Sequence, residues 1–188
     1  MPASAAANDA AAEATDEDLM RRYAEGEAAA FEALYARHKD PLFRYLLRGC
    51  SDRALAAELF QDVWMRLIQS RERYRPSARF TVWLFTLAHN RLVDHYRRTR
   101  PGGVLPEQVA PAEDEPDARA QHGQAAQRVH AAIARLPFEQ REAILLKEER
   151  DLGLDEIAAV TGVGRETVKS RLRYALAKLR QELHDDSA

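Results

Sequence analysis

The chain has 188 residues, a length that suits one or two small domains. Apolar residues make up 46% and charged residues 31%, which allows a buried core and argues against wholesale disorder. The formal net charge of −2 argues, taken alone, against a nucleic-acid binder. The charges are segregated, however. Residues 16–100 hold 16 Lys and Arg against 12 acids, residues 128–183 hold 11 against nine, and residues 101–127 hold one Arg and five acids. Two mildly basic blocks are therefore joined by an acidic strip.

The single cysteine, Cys50, cannot form an internal disulfide, which fits a reducing cytoplasm. No apolar run approaches the roughly 20 residues needed to span a bilayer. The N-terminus lacks the basic start and the long apolar stretch of a signal peptide. We therefore expect a cytoplasmic protein without direct membrane insertion, in which residues 1–15 form a disordered Ala-rich tail.

The spacing of apolar residues is helical throughout, and the alternation typical of strands is nearly absent, so the sequence predicts an all-α protein. A first helix is expected to begin near Asp16–Asp18 and to end at Gly26. A second helix covers residues 31–38. Pro41 fits the first turn of a third helix, which Gly49 would end. The next helix runs over residues 52–70 with one broad apolar stripe.

Residues 71–80 are basic and contain Pro76, and they are interpreted as a loop. The stretch from 81 to 100 has no Gly or Pro and predicts one helix that is apolar at its start and basic at its end. Its period aligns Trp83, Asn90 and Arg97 on one face, with Asp94 between the last two. Amides and Arg read base edges, and aromatic rings stack on unpaired bases. Ordinary surface ion pairs and a Trp at the rim of the core remain the alternative interpretation.

Residues 101–127 contain four prolines and few large apolar residues, and they predict a flexible, acidic, Pro-rich linker. Four further helices follow from Arg128. The turn TGVG, with Gly162, joins two of them in the pattern of a helix-turn-helix, whose second helix enters the DNA major groove. An ordinary helix pair of an α-bundle is the alternative. Gly153 can cap the first helix of the pair, with Glu156 reaching back. The buried stripe expected for the second helix is Val168, Leu172, Ala175, Leu176 and Leu179.

His89, Asp94 and His95 are residue types that bind metals, so a metal-dependent phosphohydrolase is an alternative from another class. His89 and His95 are six residues apart, about 240° around a helix, so they diverge. No Gly-rich phosphate loop and no G-x-S-x-G motif occurs. We therefore expect no catalytic residues, no metal and no cofactor.

Four stretches in order resemble a bacterial sigma factor of the extracytoplasmic-function class: GEAAAFEALYARHKDPLFRYLLR, AELFQDVWMRL, FTVWLFTLAHNRLVDHYRR, and LPFEQREAILLKEERDLGLDEIAAVTGVGRETVKSRLRYALAKLR. This class keeps only regions two and four. The resemblance implies two small helical domains, region two over 16–100 and region four over 128–184, with the linker at 101–127 and a tail at 185–188.

The same resemblance implies a function that is not enzymatic. Such a factor binds the β′ and β subunits of core RNA polymerase and directs the polymerase to promoter DNA. Region two recognises and helps to open the minus-ten element, and region four binds the minus-thirty-five element. Many relatives are held inactive by an anti-sigma protein. A conventional helix-turn-helix regulator is the alternative within DNA binding.

The resemblance also assigns roles to individual residues. The residues for core polymerase are Glu58, Gln61, Asp62 and Trp64. Those for the minus-ten element are Arg73, Tyr74, Arg75, Arg79, Trp83, Asn90, Asp94, Arg97 and Arg98. Those for the minus-thirty-five element are Arg165, Glu166, Thr167, Lys169, Ser170, Arg171 and Arg173. The chain departs from the family at Gly153, where Ser or Thr is common. It also departs at positions 58 and 62, where the family more often has Asp and then Glu.

Overall fold

A computed structural model describes residues 14–75, 78–110 and 123–185. Over these residues the chain is helical without strands, which confirms the all-α prediction. The α-helices are α1 Asp16–Ala24, α2 Ala28–Cys50, α3 Arg53–Ser70, α4 Phe80–Thr99, α5 Gln124–Ala134, α6 Phe138–Arg150, α7 Leu154–Thr161 and α8 Arg165–Asp185. Of the tail predicted to be disordered over residues 1–15, the structure describes Ala14 and Thr15, and the Ala14 carbonyl accepts a hydrogen bond from Arg37 at 2.9 Å. Residues 1–13 of that tail, residues 111–122 of the predicted linker and the last three residues lie outside the described residues.

Helices α1 to α4 pack together as the first helical unit, and local capping fixes where two of them begin. The Thr15 hydroxyl accepts a hydrogen bond from the Asp18 backbone N–H at 3.1 Å, and the Asp52 carboxylate accepts one from Leu55 N–H at 3.0 Å. Each side chain satisfies a backbone donor that the first turn leaves unpaired. Helix α4 has no such local cap. Its first N–H, on Phe80, donates to the Glu17 carboxylate of α1 at 2.6 Å.

The prediction of two separate helices around Pro41 was wrong, because α2 continues through this proline to Cys50. Proline lacks the N–H that would bond to the carbonyl four residues earlier. The helix continues nonetheless, since Leu34 and His38 before the proline and Leu42 and Tyr45 after it are buried on one stripe. Packing of both halves against the same core offsets the missing hydrogen bond. The helix ends one residue after Gly49, and Ser51 then takes a left-handed backbone conformation with φ 57°.

An aromatic cluster fills one end of the first helical unit. Trp64 lies 5.7 Å from Phe31, 5.0 Å from Tyr35 and 6.1 Å from Phe60, measured between ring centroids. Several of these pairs are tilted or edge-to-face, the arrangements that ring quadrupoles favour. This packing holds α2 and α3 together.

Helices α5 to α8 form the second helical unit. Gly162 ends α7 with φ 68°, a backbone conformation that favours glycine, and α8 begins three residues later. Val168, Ala175 and Leu179 are buried as predicted. Leu176 was expected in the same stripe, but 44% of it is exposed. On the helical wheel it lies at the edge of the stripe, about 80° from Val168, so it falls outside the contact.

The two helical units touch each other, and part of the predicted linker is packed rather than free. Pro106 is buried, and its carbonyl accepts a hydrogen bond from Phe138 N–H at 3.1 Å. Val109 N–H donates to the Ala134 carbonyl at 3.1 Å. Residues 104–110 therefore lie against the second helical unit, and we call this segment the strap.

Candidate polymerase- and nucleic-acid-binding surfaces

One face of α3 carries three of the four residues predicted for polymerase binding. Glu58 and Gln61 are exposed. Asp62 is partly exposed and forms an ion pair with Arg91 of α4, whose side chain is nearly buried. Met65 continues the same face at helical spacing and is 52% exposed. The sequence reasoning missed Met65, although its position four residues after Gln61 and three after Asp62 is a signal that could have found it.

Trp64, the fourth residue predicted for this surface, lies behind it. Only 5% of Trp64 is exposed, and its ring belongs to the aromatic cluster. In this conformation the side chain supports the face from inside rather than forming part of it.

The predicted stripe on α4 lies on the outside of the molecule. Asn90, Arg97 and Arg98 are exposed, whereas Asp94 is partly exposed and its backbone carbonyl accepts a hydrogen bond from Arg98. Trp83 is partly buried at the start of the stripe. The opposite side of α4 packs against the cores of both helical units, so the stripe is held on a rigid support.

The loop before α4 places its tyrosine and arginines differently. Only 9% of Tyr74 is exposed, and its ring lies 4.9 Å from that of Trp83. Burial, with Glu17 and Asp16 nearby, raises the pKa of Tyr74 to about 12. Its hydroxyl therefore stays protonated, and among the described residues it has no hydrogen-bond partner. Arg73 and Arg75 are exposed, and Arg75 donates to the carbonyl of Tyr74 at 2.9 Å.

A cavity of about 370 Å³ lies between this loop and α1. Its charged side chains are of mixed sign, so the cavity has no excess of positive charge that would favour a phosphate. The lining residues are Glu17, Asp18, Arg21, Ala24, Glu25, Arg71, Glu72, Tyr74 and Arg75.

Arg79, predicted for the minus-ten element, contacts the other helical unit. Its guanidinium donates to the Glu156 carboxylate at 3.0 Å. The second oxygen of Glu156 accepts a hydrogen bond from Gly153 N–H at 2.9 Å. The predicted reach of Glu156 back to the start of α7 is therefore confirmed, and the same carboxylate also contacts Arg79.

The first two and a half turns of α8 present most of the residues predicted for the minus-thirty-five element to solvent. Arg165 is exposed and pairs with Asp155 at 2.6 Å, and Glu166 lies 3.6 Å from Lys169. Arg173 stacks over the Tyr174 ring at 5.0 Å. Thr167 is exposed, whereas Ser170 and Arg171 are partly exposed. Exposed ion pairs of this kind are weak and can exchange for phosphate contacts.

Nothing in the described residues gathers a metal site, since no three His, Cys, Asp or Glu side chains converge there. His89, one of the metal-capable residues, instead places its Nδ1 2.6 Å from the Glu142 carboxylate. Among the described helices, none has the length and apolar character needed to cross a membrane.

Comparison with protein families matches both helical units. The family model described as Sigma-70 region 2 matches residues 34–101. The family model described as Sigma-70, region 4 matches residues 126–179. Helix α1 lies before the first match.

Individual relatives match over most of their length. RNA polymerase sigma factor CarQ of Myxococcus xanthus is 32% identical, covering 87% of this chain and 95% of CarQ. ECF RNA polymerase sigma factor SigL of Mycobacterium tuberculosis is 36% identical, covering 86% of this chain and 93% of SigL. Among solved structures, CnrH in complex with the cytosolic domain of CnrY has a TM-score of 0.70 at 26% identity, covering 91% of this chain and 98% of CnrH. RpoE of Bartonella quintana, solved with the anti-sigma factor NepR, shares the fold with a TM-score of 0.67 at 24% identity, covering 82% and 96%.

Proposed function

Because this chain belongs to the extracytoplasmic-function class of RNA polymerase sigma factors, with sigma-70 regions 2 and 4, we propose how its residues divide the steps of initiation. The chain binds core RNA polymerase and directs it to specific promoters. Sigma factors are transcription factors rather than a known class of enzyme, and we extend this to the present chain. We assign the steps to three surfaces and place the protein in the cytoplasm, where core polymerase and promoter DNA are found.

The exposed face of α3 docks on core polymerase. An apolar side chain, Met65, lies among the polar side chains of Glu58, Gln61 and Asp62. Protein interfaces commonly place an apolar centre inside a polar rim, and Met is enriched in them. The resemblance stated above assigns Glu58, Gln61 and Asp62 of this face to core polymerase. The carboxylates would favour a basic partner surface, which also speeds association.

The α4 stripe and the preceding loop bind the opened minus-ten strand. The observation that carries this assignment is the outward position of Asn90 and Arg97 on a helix whose other side, with Leu84, Ala88 and Leu92, is buried in the core. An amide and a guanidinium can hydrogen-bond to base edges, and the partly exposed ring of Trp83, which Tyr74 supports from behind, can stack on an unpaired base. A rigid support lowers the entropy cost of capturing a base that has left the stack.

The start of α8 binds the minus-thirty-five element as duplex. Its exposed Arg165, Lys169 and Arg173 can reach phosphates, and Thr167 can reach a base edge. Few positive charges face outward here, and phosphate neutralisation dominates affinity, so this unit alone binds weakly. Joining it to the first unit and to polymerase raises its effective concentration at the promoter.

A protein inhibitor is a further expected partner. CnrH was solved with the cytosolic domain of CnrY, and the Bartonella quintana factor with the anti-sigma factor NepR. We propose that this chain also binds a protein of the anti-sigma kind, which co-purification of the tagged full chain from its own cell would identify.

Reconstitution with core polymerase tests the assignments directly. Transcripts that begin only when the chain is added should define its promoters, and sequencing their 5′ ends locates both elements. Glu58→Lys should weaken binding to core polymerase about tenfold or more, because it places a like charge against a basic surface. Glu148→Lys makes the same charge change at an exposed position of α6 and should have no effect. A chain that does not bind core polymerase but binds closed duplex DNA tightly would contradict the proposal.

A further inference from the structure

The two helical units share a buried polar contact centred on Glu142 of α6. Only 3% of Glu142 is exposed. Its Oε1 accepts a hydrogen bond from the Tyr45 hydroxyl at 2.7 Å and lies 2.6 Å from His89 Nδ1. A carboxylate accepts hydrogen bonds but does not donate them, so Nδ1 carries the hydrogen in this contact. Both partners belong to the first helical unit, so Glu142 depends on that unit for these two hydrogen bonds.

Further contacts surround this centre. Arg141 is 1% exposed, and it donates to the Leu136 carbonyl of its own unit at 3.0 Å and to the Gly49 carbonyl of α2 at 3.4 Å. The Tyr96 ring packs edge-to-face on Phe138 with centroids 5.7 Å apart. A buried hydrogen bond to a charged group is, on balance, more favourable than the hydrogen bond to water that replaces it on opening, and apolar rings are covered, so these contacts favour the touching arrangement.

The strap acts together with Glu142. Since residues 104–110 lie against the second unit, only the four residues 100–103 separate the end of α4 from that contact. The units can move far apart only if the strap also leaves its site, which breaks its two backbone hydrogen bonds and exposes Pro106.

The closed chain is too small to reach both promoter elements. A globule of this length is about 40 Å across, from the usual relation between chain length and radius of gyration. Elements centred about 25 base pairs apart lie about 85 Å apart along B-form DNA. Promoter binding at both elements therefore requires the units to separate.

We propose that the contacts around Glu142 form an intramolecular lock that keeps the free chain closed, and that the lock opens before both promoter elements are bound. The requirement for opening rests on the proposed function, whereas the lock itself concerns the free chain alone. The closed chain leaves Glu58, Gln61 and Met65 exposed, so polymerase can dock on α3 before the lock opens.

The lock is tested first on the full chain without polymerase. Dyes are placed at Gln69→Cys and Ala177→Cys, both exposed positions in different units, after Cys50→Ser removes the native thiol. Energy transfer between the dyes and the radius of gyration from X-ray scattering report closure. Glu142→Ala should raise the ratio of open to closed molecules about 5- to 150-fold, the range expected for losing a buried hydrogen-bonded contact.

Three variants separate the lock from general loss of folding. Tyr45→Phe removes one hydroxyl from the other unit and should also raise the ratio of open to closed molecules, by a smaller factor. Combined with Glu142→Ala it should add little, because both changes remove the same contact. Glu148→Ala on the exposed side of α6 should leave the chain closed. Circular dichroism checks that each variant keeps its helices.

A second measurement uses core polymerase and promoter DNA. Tyr45→Phe and Glu142→Ala should accelerate formation of the initiation complex in the order in which they open the free chain. An original chain that is already open, or variants that leave energy transfer and radius unchanged, would overturn the lock. Opened variants that initiate no faster would overturn its role in initiation. If no variant associates with core polymerase, the proposed function fails while the result on the free chain stands.

Discussion

The two proposed DNA-binding surfaces differ in how much of each is fixed before DNA arrives. On α4 and its loop, the rings of Tyr74 and Trp83 are packed against each other, and Tyr74 is largely buried. On α8, the charged residues are solvated and are held only by exposed ion pairs such as Arg165 with Asp155. The first surface is therefore prepared for capturing a separated base, and the second for an adaptable fit to a duplex groove.

This contrast has a kinetic meaning. Binding energy spent on a separated strand lowers the barrier to opening, whereas energy from contacts with closed duplex mainly strengthens the initial complex. Changes to α4 and its loop should therefore affect the rate of opening, and changes to α8 should affect initial binding.

The largest effect is expected from Trp83→Ala. Stacking of a base on an aromatic ring contributes about 1–3 kcal/mol, so open-complex formation should slow about 5- to 150-fold. Initial promoter binding should change by less than about threefold. Stopped-flow fluorescence of a base analogue in the minus-ten element separates the two steps. Trp83→Phe keeps a ring and should recover most of the rate. A loss confined to initial binding would contradict the contrast.

Asp16→Asn tests whether the first surface depends on prior packing. Burial raises the pKa of the Asp16 carboxyl, but hydrogen bonds from His38 and Arg37 outweigh it and lower the pKa from 3.8 to about 2. A lowered folded-state pKa stabilises the fold above the unfolded value of 3.8, and this stability is lost as pH falls toward 2. The variant should lose about 2 kcal/mol at pH 7.

Urea unfolding of both chains measures this difference across pH. The difference in the free energy of unfolding between the original chain and Asp16→Asn should shrink between pH 4 and pH 2, within the interval set by the two pKa values. Asp18→Asn is the matched control, because its carboxyl is exposed on the same helix. A difference that stays constant with pH would show that the carboxyl charge is not the cause.

A smaller effect is expected from Arg165→Ala on α8. If Arg165 contacts a phosphate, initial promoter binding should weaken about three- to tenfold for all sequences, and the dependence of log affinity on log salt should fall by about one. The opening rate should not change. Glu182→Ala, near the far end of α8, is the control. A loss that differs strongly between base sequences would instead place Arg165 on a base edge.

The smallest change is expected from Gly153→Ser at the start of α7. A serine hydroxyl could accept a hydrogen bond from the first turn, and replacing Gly by Ser at such a cap contributes a few tenths of a kcal/mol. An added Cβ would meet only the Glu156 carboxylate, at 3.7 Å. The temperature of thermal unfolding should rise slightly. A lower unfolding temperature would mean that the new side chain disturbs Glu156.

The sequence predicted elements whose cause is local. Helical spacing located α3, α4 and α8, and Gly162 marked the turn between α7 and α8. Pro41 was misread because its effect on α2 is decided by core residues on both sides of it. Met65 was missed because it lies outside the buried apolar stripe of α3, which is what the helical spacing identifies. The contact of Glu142 with Tyr45 joins residues that are 97 positions apart, so no local sequence pattern predicts it.

Helix α1 has a consequence for how the first unit can be studied. The family match begins at residue 34, yet the Glu17 carboxylate accepts a hydrogen bond from the first N–H of α4, and Asp16 contacts buried His38. A fragment trimmed to the matched residues would leave α4 frayed at the end that carries Trp83. Such a fragment would understate the ability of the intact protein to separate DNA strands, even if every base-contacting side chain were retained.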